Sequence, residues 1–417
     1  MDHAISMKPA DASSPSATSH SKTDDVIGQA KHVLLQNYKQ QPIVLARGEG
    51  SYLWDADGKR YLDLIAGIAT CALGHCHPGV IAAVKKQLDT LWHVSNVFYS
   101  EPSIQLADRL TRASTLPGAR AFFCNSGAEA NEALIKLARR YQHVVKGNAE
   151  RSDIITFEGG FHGRTLATVT ATAQPKYQAG FEPLPQGFKY AQMGDLEGVK
   201  KLVGPTTAAI LVEPIQGEGG VRPAPAGFLK ALRELCDANG VLLLIDEVQT
   251  GIGRTGKPFA FQHDGIVPDA FSLAKSLGNG LPIGAMVCTD EAGKALPSAT
   301  HGSTFGGNLV ACAAAIATWD IACDPATMKE TVEKGEHLRS LALAIKARKP
   351  GRVTDVRGKG LLFGIEVDQG AADVLARCRA NGLLANLAGE KTIRFAPSYL
   401  VTRDQLAEGL AIFEASL

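Results

Sequence analysis

The stretch that most limits how this chain can fold is "VLLLIDEV", Val241 to Val248. An uninterrupted apolar run has no exposed face. As a strand it must be covered on both sides, the situation of a parallel sheet between helices. Upstream, "AAILVEP" (Ala208 to Pro214) repeats the pattern: short, apolar and ending in an acid. Between the two, "GFLKALRELCDANG" (Gly227 to Gly240) places Leu229, Leu232, Leu235 and Cys236 on one helical face and closes on a glycine. Strand, helix and strand within about 40 residues make a βαβ unit. Ligands of open α/β sheets collect at the C-terminal ends of strands. Glu213 and Asp246 are therefore expected at one crevice.

The glycines that follow invite a nucleotide reading. Gly251, Gly253 and Gly256 match G-x-G-x-x-G, and Gly251 to Lys257 match most of a P-loop. A dinucleotide fingerprint needs its glycines directly after the strand and opening a helix. Here "DEVQT" intervenes, and Pro258 and Gly265 oppose a helix. A P-loop needs Ser or Thr after its lysine, where Pro258 stands. The glycines are read as shaping a tight loop, and the chemistry as lying with Asp246. A buried carboxylate is costly unless it meets a cation. Lys275, in "LAKSLGNGLPIGA", follows another short apolar stretch. In "CNSGAEANEALIKLARR" (Cys124 to Arg140), the turn Asn125-Ser126-Gly127 precedes an amphipathic helix. Such a turn by itself suits first an ordinary helix cap, and also a phosphate site. Lysine, carboxylate and phosphate-binding amides together are what pyridoxal phosphate needs.

Composition narrows the classes. The formal net charge of +1 draws the chain to neither nucleic acid nor anionic membrane. No apolar run approaches the roughly 18 residues of a membrane span. Eight cysteines scattered over 417 residues point to reduced thiols and a cytoplasmic protein. His75, Cys76 and His77 have no second Cys/His cluster to complete a zinc site, so no metal is expected. Residues 1–24 lack the apolar core of a secretory signal and are read as a disordered tail. Residues 25–75 are assigned as an N-terminal segment contributing to a small domain, 76–315 as the large domain, and 316–417 as the C-terminal part of the small one.

The pieces "RGEGSYLWDADGKRYLDLIAGIA", "LGHCHP", "LWHVSNVF", "CNSGAEANEALIKLAR", "FHGRT", "VEPIQGEGGV", "IDEVQTGIGRTG", "LAKSLGNGLPIGA", "HGSTFGGN", "RGKGLLFG" and "IRFAPS" stand in sequence from before residue 50 to the C-terminal region. Their order and spacing resemble the class III, fold-type I pyridoxal-phosphate aminotransferases, from about Tyr38 onward. The resemblance implies an α/β large domain with a mostly parallel sheet flanked by helices, and a smaller α+β domain built from both chain ends. It implies that Lys275 holds the cofactor and shuttles a proton, and that Asp246 pairs with the pyridine nitrogen. Gln249 would bond the phenolic oxygen, Phe161 and Val248 would press on the ring faces, and Ser126, Gly127 and Ala128 would bind phosphate. Thr304 would reach the phosphate of a neighbouring subunit, making the enzyme a homodimer with shared sites. His162 would pack beside the ring.

For the substrate, the resemblance implies that Arg164 holds a distal carboxylate, that Glu218 and Arg394 form a switching pair, and that Tyr38 and Ser303 complete the site. Ile68 stands where members acting on free ornithine carry Tyr, which favours an acylated ornithine. The implied reaction passes an amine from acetylornithine to 2-oxoglutarate, giving acetylglutamate semialdehyde and glutamate, in arginine biosynthesis or its reverse. Alternative donors are succinylornithine, ornithine, 4-aminobutyrate and succinyl-diaminopimelate; aminomutases and racemases share the lysine and aspartate. The chain departs from the family at Asn279 and Leu281, at Leu309, and at Ala128, where a frequent Thr is replaced and one side-chain phosphate contact is lost.

Overall fold

The computed structural model describes residues 21–417. Residues 1–20 of the expected tail lie outside the described residues. The remainder of that stretch runs into a helix, Lys22–Val33, capped by Ser21. The chain forms two compact units. The smaller ends at Arg47 and adds Trp54–Arg60; the larger comprises Gly48–Leu53 and Tyr61–Leu417. In the smaller, the Arg47 guanidinium lies 3.8 Å over the Trp54 ring.

The larger unit is built on a seven-stranded sheet: β1 (Arg120–Cys124), β2 (Asp153–Phe157), β3 (Phe188–Ala191), β4 (Thr207–Val212), β5 (Leu242–Asp246), β6 (Ala270–Leu273) and β7 (Gly284–Cys288). Their order is β1-β7-β6-β5-β4-β2-β3. Only β7 runs antiparallel to its neighbours, so the sheet is mostly parallel as expected. Every residue of β4 and β5 is buried, which is why neither strand alternates. Two helices matter for the site: α1 (Gly127–Arg140) and α2 (Phe228–Asn239). The expected βαβ unit is β4-α2-β5, with Leu243 opposite Ile210 in parallel register. Gly240 ends α2 at φ 64°, the left-handed cap that glycine adopts without strain.

The C-terminal region carries a separate antiparallel sheet: β8 (Val353–Lys359), β9 (Leu362–Val367), β10 (Asn386–Ala388) and β11 (Thr392–Phe395), in the order β8-β9-β11-β10. Leu383 pairs in parallel with Leu62, so an early segment joins the C-terminal one. The boundary expected near residue 315 falls inside a helix, α3 (Leu309–Ala322), which α4 (Pro325–Arg348) follows at a 68° bend. It separates two sheets but not two compact units. The physical reason is a continuous apolar core joining Ile245 and Phe261 to Leu338 and Phe363. Among the described residues, no single helix is long and apolar enough to cross a membrane.

Gly335 marks a close approach of α4 to the second sheet's hairpin: a Cβ there would lie 2.4 Å from the Gly360 carbonyl oxygen. Alanine favours a helix interior by about 1 kcal/mol over glycine, but overpacking costs about 1–3 kcal/mol. Gly335→Ala is expected to lower the thermal midpoint; a raised midpoint would mean the Gly360 turn yields freely.

Candidate active site

The site begins where β5 ends. Asp246 is 4% exposed, and its carboxylate is held by donors from three parts of the chain. Oδ1 accepts the Val248 N–H at 2.9 Å. Oδ2 accepts from the Asn131 amide at 2.7 Å and lies 2.8 Å from His162 Nδ1. Burial alone would raise the Asp246 carboxyl, but the hydrogen bond and charge of His162 outweigh it and hold the group below the usual carboxylate range. Burial likewise pulls His162 down, while the bond to Asp246 brings it above its ordinary value. Glu213, just past β4, accepts the Phe161 N–H at 3.0 Å. Burial first, and Asp246 as a like charge, push its carboxyl up to about 8, against the opposing pull of His162. One buried histidine thus sits among two carboxyl groups, one held below and one raised above the usual carboxylate range. Both expected strand-end acids therefore belong to this one region.

Lys275 leaves β6 through a single 3₁₀ turn, Lys275–Leu277, at φ 42°. The neighbouring residue clamps it: the Ser276 hydroxyl donates to the Ala69 carbonyl at 2.8 Å. Asn279 accepts the Leu73 N–H at 2.8 Å, so this departure from the family pattern ties the lysine loop to the segment before it. Burial draws the Lys275 ammonium below its ordinary value. Arg394 adds to this, while Glu218, Asp246 and Glu213 oppose it. The amine is brought closer to a neutral, nucleophilic form.

Lys275, Asp246, Ser126, Phe161, Val248 and Arg164 line one cavity of about 400 Å³. Ala128 and Gln249 line it as well. A second cavity of about 450 Å³, beside Arg120, Met286 and His301, holds none of these groups. Pyridoxal phosphate fits the residues present. The N–H groups of Gly127 and Ala128 open α1 without intrahelical acceptors, the setting that binds phosphate at a helix start. A Cβ at Gly127 would fall 2.8 Å from a Val248 methyl, and one at Gly163 2.7 Å from Ala128 Cβ. Glycine is needed at both places for backbone to line the cavity. Ser126 Oγ accepts the Glu129 N–H at 3.2 Å, so the helix cap and the phosphate setting coexist at one turn.

Glu218 and Arg394 lie outside the cavity lining and connect to it through Gln249. Arg394, on β11, is fully buried. Its Nη1 donates to Glu218 Oε1 at 2.6 Å and to Gln249 Oε1 at 3.0 Å, and its Nε donates to Asn386 Oδ1 at 3.1 Å. Nη2 is buried without a partner. Burial pushes the Glu218 carboxyl up, but Arg394 and Lys275 outweigh it and keep it below the ordinary range. Gln249 thus engages the expected switching pair as well as facing the cavity. Arg164 stands exposed at the cavity rim.

Ser303 and Thr304 also lie outside that lining. The Ser303 hydroxyl accepts the Gly306 N–H at 3.0 Å and the Asn125 amide at 3.2 Å, outside the cavity lining. Thr304 is exposed beside it. Tyr38 belongs to the smaller unit and is 76% exposed. His162 does not simply pack beside a ring position; it is an Asp246 partner. Asn131 and Ser276 were not singled out in the sequence, and Asn279 only as a departure from the family pattern. Asn131 had one signal: it falls four residues after Gly127, on the same helical face. His162 had none, because its partner is 84 residues away.

A family model described as Aminotransferase class-III matches residues 34–417. An acetylornithine aminotransferase of Myxococcus xanthus is 62% identical over 94% of this chain and 97% of its own length. Among solved structures, an N-acetylornithine aminotransferase from Stenotrophomonas maltophilia is 38% identical, with a TM-score of 0.80 over 94% of this chain and 98% of that one. An ornithine aminotransferase from Toxoplasma gondii, with partial occupancy of PLP at its active site, is 32% identical, with a TM-score of 0.90 over 94% of each chain.

The Asn131 amide spends both protons, on Asp246 Oδ2 and on the His162 carbonyl at 2.8 Å. Asn131→Leu keeps the forked outline, with bulkier methyl groups, but removes both bonds. It is expected to cost roughly 1.5–3 kcal/mol, the range of a hydrogen bond to a charged group, read as a shift in the urea unfolding midpoint. An unshifted midpoint would show that His162 and Val248 suffice.

Proposed function

We infer the reaction from one premise: the chain belongs to the class III aminotransferases, with pyridoxal 5′-phosphate as cofactor. The reaction is transfer of the terminal amine of acetylornithine to 2-oxoglutarate, giving acetylglutamate semialdehyde and glutamate, in two half-reactions. The observation that carries this reading is the pairing of two unlike arginines about one lysine. Arg164 forms no ion pair among the described residues, whereas Arg394 is masked by Glu218 at 2.6 Å. Acetylornithine presents one carboxylate, far from the reacting amine; glutamate presents two, one beside it. One open and one masked arginine suit both donors.

When bound, the cofactor supplies an electron sink for the bond broken at the amine-bearing carbon. Lys275 holds it and then, with its ammonium already drawn low, carries the proton to and from that carbon. Asp246 stays ionised and keeps the ring nitrogen protonated. Gly127, Ala128 and Ser126 hold the phosphate; Phe161 and Val248 bound the ring. Arg164 takes the distal carboxylate in a fork that lysine could not form. Glu218 neutralises Arg394 for acetylornithine and yields it to the carboxylate of glutamate. Tyr38 and Ser303 are assigned to the substrate's surroundings.

The enzyme is a cytoplasmic homodimer. Support for the dimer comes from an exposed apolar surface of Leu91, Trp92, Val97, Phe98, Tyr99 and Phe305, a patch of the kind that marks an interface. The Asn96 amide donates to the Ser303 carbonyl at 3.0 Å, and His93 lies 5.3 Å from Phe305. Thr304 thus belongs to this surface, where it would serve the partner's phosphate. All eight cysteines are free thiols, which suits the cytoplasm.

A donor panel with 2-oxoglutarate tests the reading. Acetylornithine is expected to give the highest kcat/KM, above succinylornithine, ornithine and 4-aminobutyrate; a higher value for free ornithine would overturn the substrate assignment. Lys275→Ala should abolish turnover, with borohydride trapping on Lys275 of the wild-type enzyme and on no other lysine. Glu218→Ala is expected to shift the ratio of half-reaction efficiencies towards glutamate by roughly five-fold to a hundred-fold, the span of one charge contact. Equal slowing of both half-reactions, followed by cofactor absorbance, would leave Glu218 as a structural residue.

A further inference from the structure

Arg164 presents a physical problem that the reaction does not resolve. A long side chain at a cavity rim, with no carboxylate partner among the described residues, has many rotamers, and binding must freeze one. Arginine carries about 2 kcal/mol of rotamer entropy, and a recognition fork gains from being preset. One side chain supplies that preset. The Arg164 guanidinium carbon lies 4.0 Å from the centroid of the Tyr177 ring and 5.4 Å from that of Phe161. The two rings meet edge to face, 5.9 Å apart at 87°.

Tyr177 is itself held firmly. It lies on the short helix Pro175–Gln178, which is pinned at both ends. The Gln174 amide donates to the Gly160 carbonyl at 2.9 Å, next to Phe161. The Gln178 amide donates to the carbonyls of Thr172 at 3.0 Å and Thr170 at 3.1 Å. The Tyr177 N–H donates to the Gln174 carbonyl at 2.9 Å. Phe161 is fixed through its own N–H on Glu213. The two rings are thus tied by short bonds to the loop that carries Arg164. A ring over a guanidinium face occupies none of its N–H groups, which lie in the plane. Stacking and a bidentate carboxylate contact are therefore compatible.

We propose that Tyr177 is a positioning residue for carboxylate recognition, its ring holding Arg164 in the orientation that receives the distal carboxylate of both donors. This rests on the assignment of Arg164 to that carboxylate. The ring, not the hydroxyl, does the holding, and the effect is confined to ligands that bear the carboxylate.

The test compares holoenzymes carrying Tyr177→Leu, Tyr177→Met and Tyr177→Phe, each checked by thermal midpoint, with Arg164→Leu as reference. Two amine donors are used: acetylornithine and 4-acetamidobutylamine, the same acylated chain without the carboxylate. Calorimetric binding of glutarate, an unreactive dicarboxylate, gives a reading independent of turnover. Tyr177→Leu and Tyr177→Met should raise KM for acetylornithine and weaken glutarate binding by roughly 3- to 30-fold, the range of a partly desolvated cation–π contact. Their kcat for acetylornithine, and their KM for 4-acetamidobutylamine, should stay at wild-type values. Tyr177→Phe should match wild type throughout. The inference is overturned if the Leu and Met variants bind glutarate as wild type does, if both donors lose equally, or if Tyr177→Phe behaves like Tyr177→Leu. If Arg164→Leu does not itself discriminate between the two donors, the assignment of Arg164 fails; if it discriminates while Tyr177→Leu does not, only the role of Tyr177 fails.

Discussion

A carboxylate buried at the end of a central strand is the constraint around which the rest of the larger unit is arranged. Removing Asp246 from water costs several kcal/mol unless donors replace the lost hydration. The replacements come from positions 131, 162 and 248; the last is local, but the other two are unavailable until α1 and the Phe161–Arg164 loop reach the strand end. Asn131 binds the convergence together, giving one proton to Asp246 and the other to the His162 carbonyl. The same bonds hold its carboxyl below the usual range, which is what its proposed role asks of it. Stability and function draw here on one set of contacts.

Strain marks the opposite side of the cavity. Lys275 and Asn279 have φ of 42° and 47°. Ala66, Gly67, Ile68 and Ala69 follow one another at 48°, 66°, 61° and 63°. Only one of these six is glycine, and left-handed backbone costs other residues roughly 1–3 kcal/mol each where it persists. It persists because neighbouring contacts over-determine it. Ser276 bonds the Ala69 carbonyl, and the Tyr399 hydroxyl donates to the Ile252 carbonyl at 2.9 Å while lying 3.3 Å from Ser276 Oγ. The lysine is held in a preset pose by the fold, not by its own preference.

The glycine run that resembles a nucleotide motif turns out to be a joint. Arg254, at its centre, is fully buried. Its Nη1 donates to the carbonyls of Leu361 and Pro397, and its guanidinium lies 4.5 Å from the Tyr399 ring. A Cβ at Gly253 would fall 2.6 Å from the Ala322 carbonyl oxygen, and one at Gly256 2.2 Å from a Val332 methyl. The glycines let the loop after Asp246 and Gln249 press against α3 and α4. That places the cofactor strand and the region carrying Arg394 in one core.

By itself the sequence determined the elements whose cause is local. An apolar run without alternation had to be a strand covered on both faces, and β4-α2-β5 is that unit. Gly240 had to end its helix, and Pro258 had to exclude a P-loop. The order of the motifs was enough to identify the family. Tertiary structure alone decided the partners. His162 and Asp246 are separated by 84 residues, and Arg394 and Glu218 by 176; no periodicity within a segment encodes a contact over such a span. It also decided protonation, because burial, against the pull of most neighbouring charges, pushes Glu213 up to about 8 and draws Lys275 down. Neither burial nor a distant charge can be read from the residue types on either side. The expected boundary near 315 followed from a shift in composition. In the structure that position lies within α3, beside one continuous apolar core.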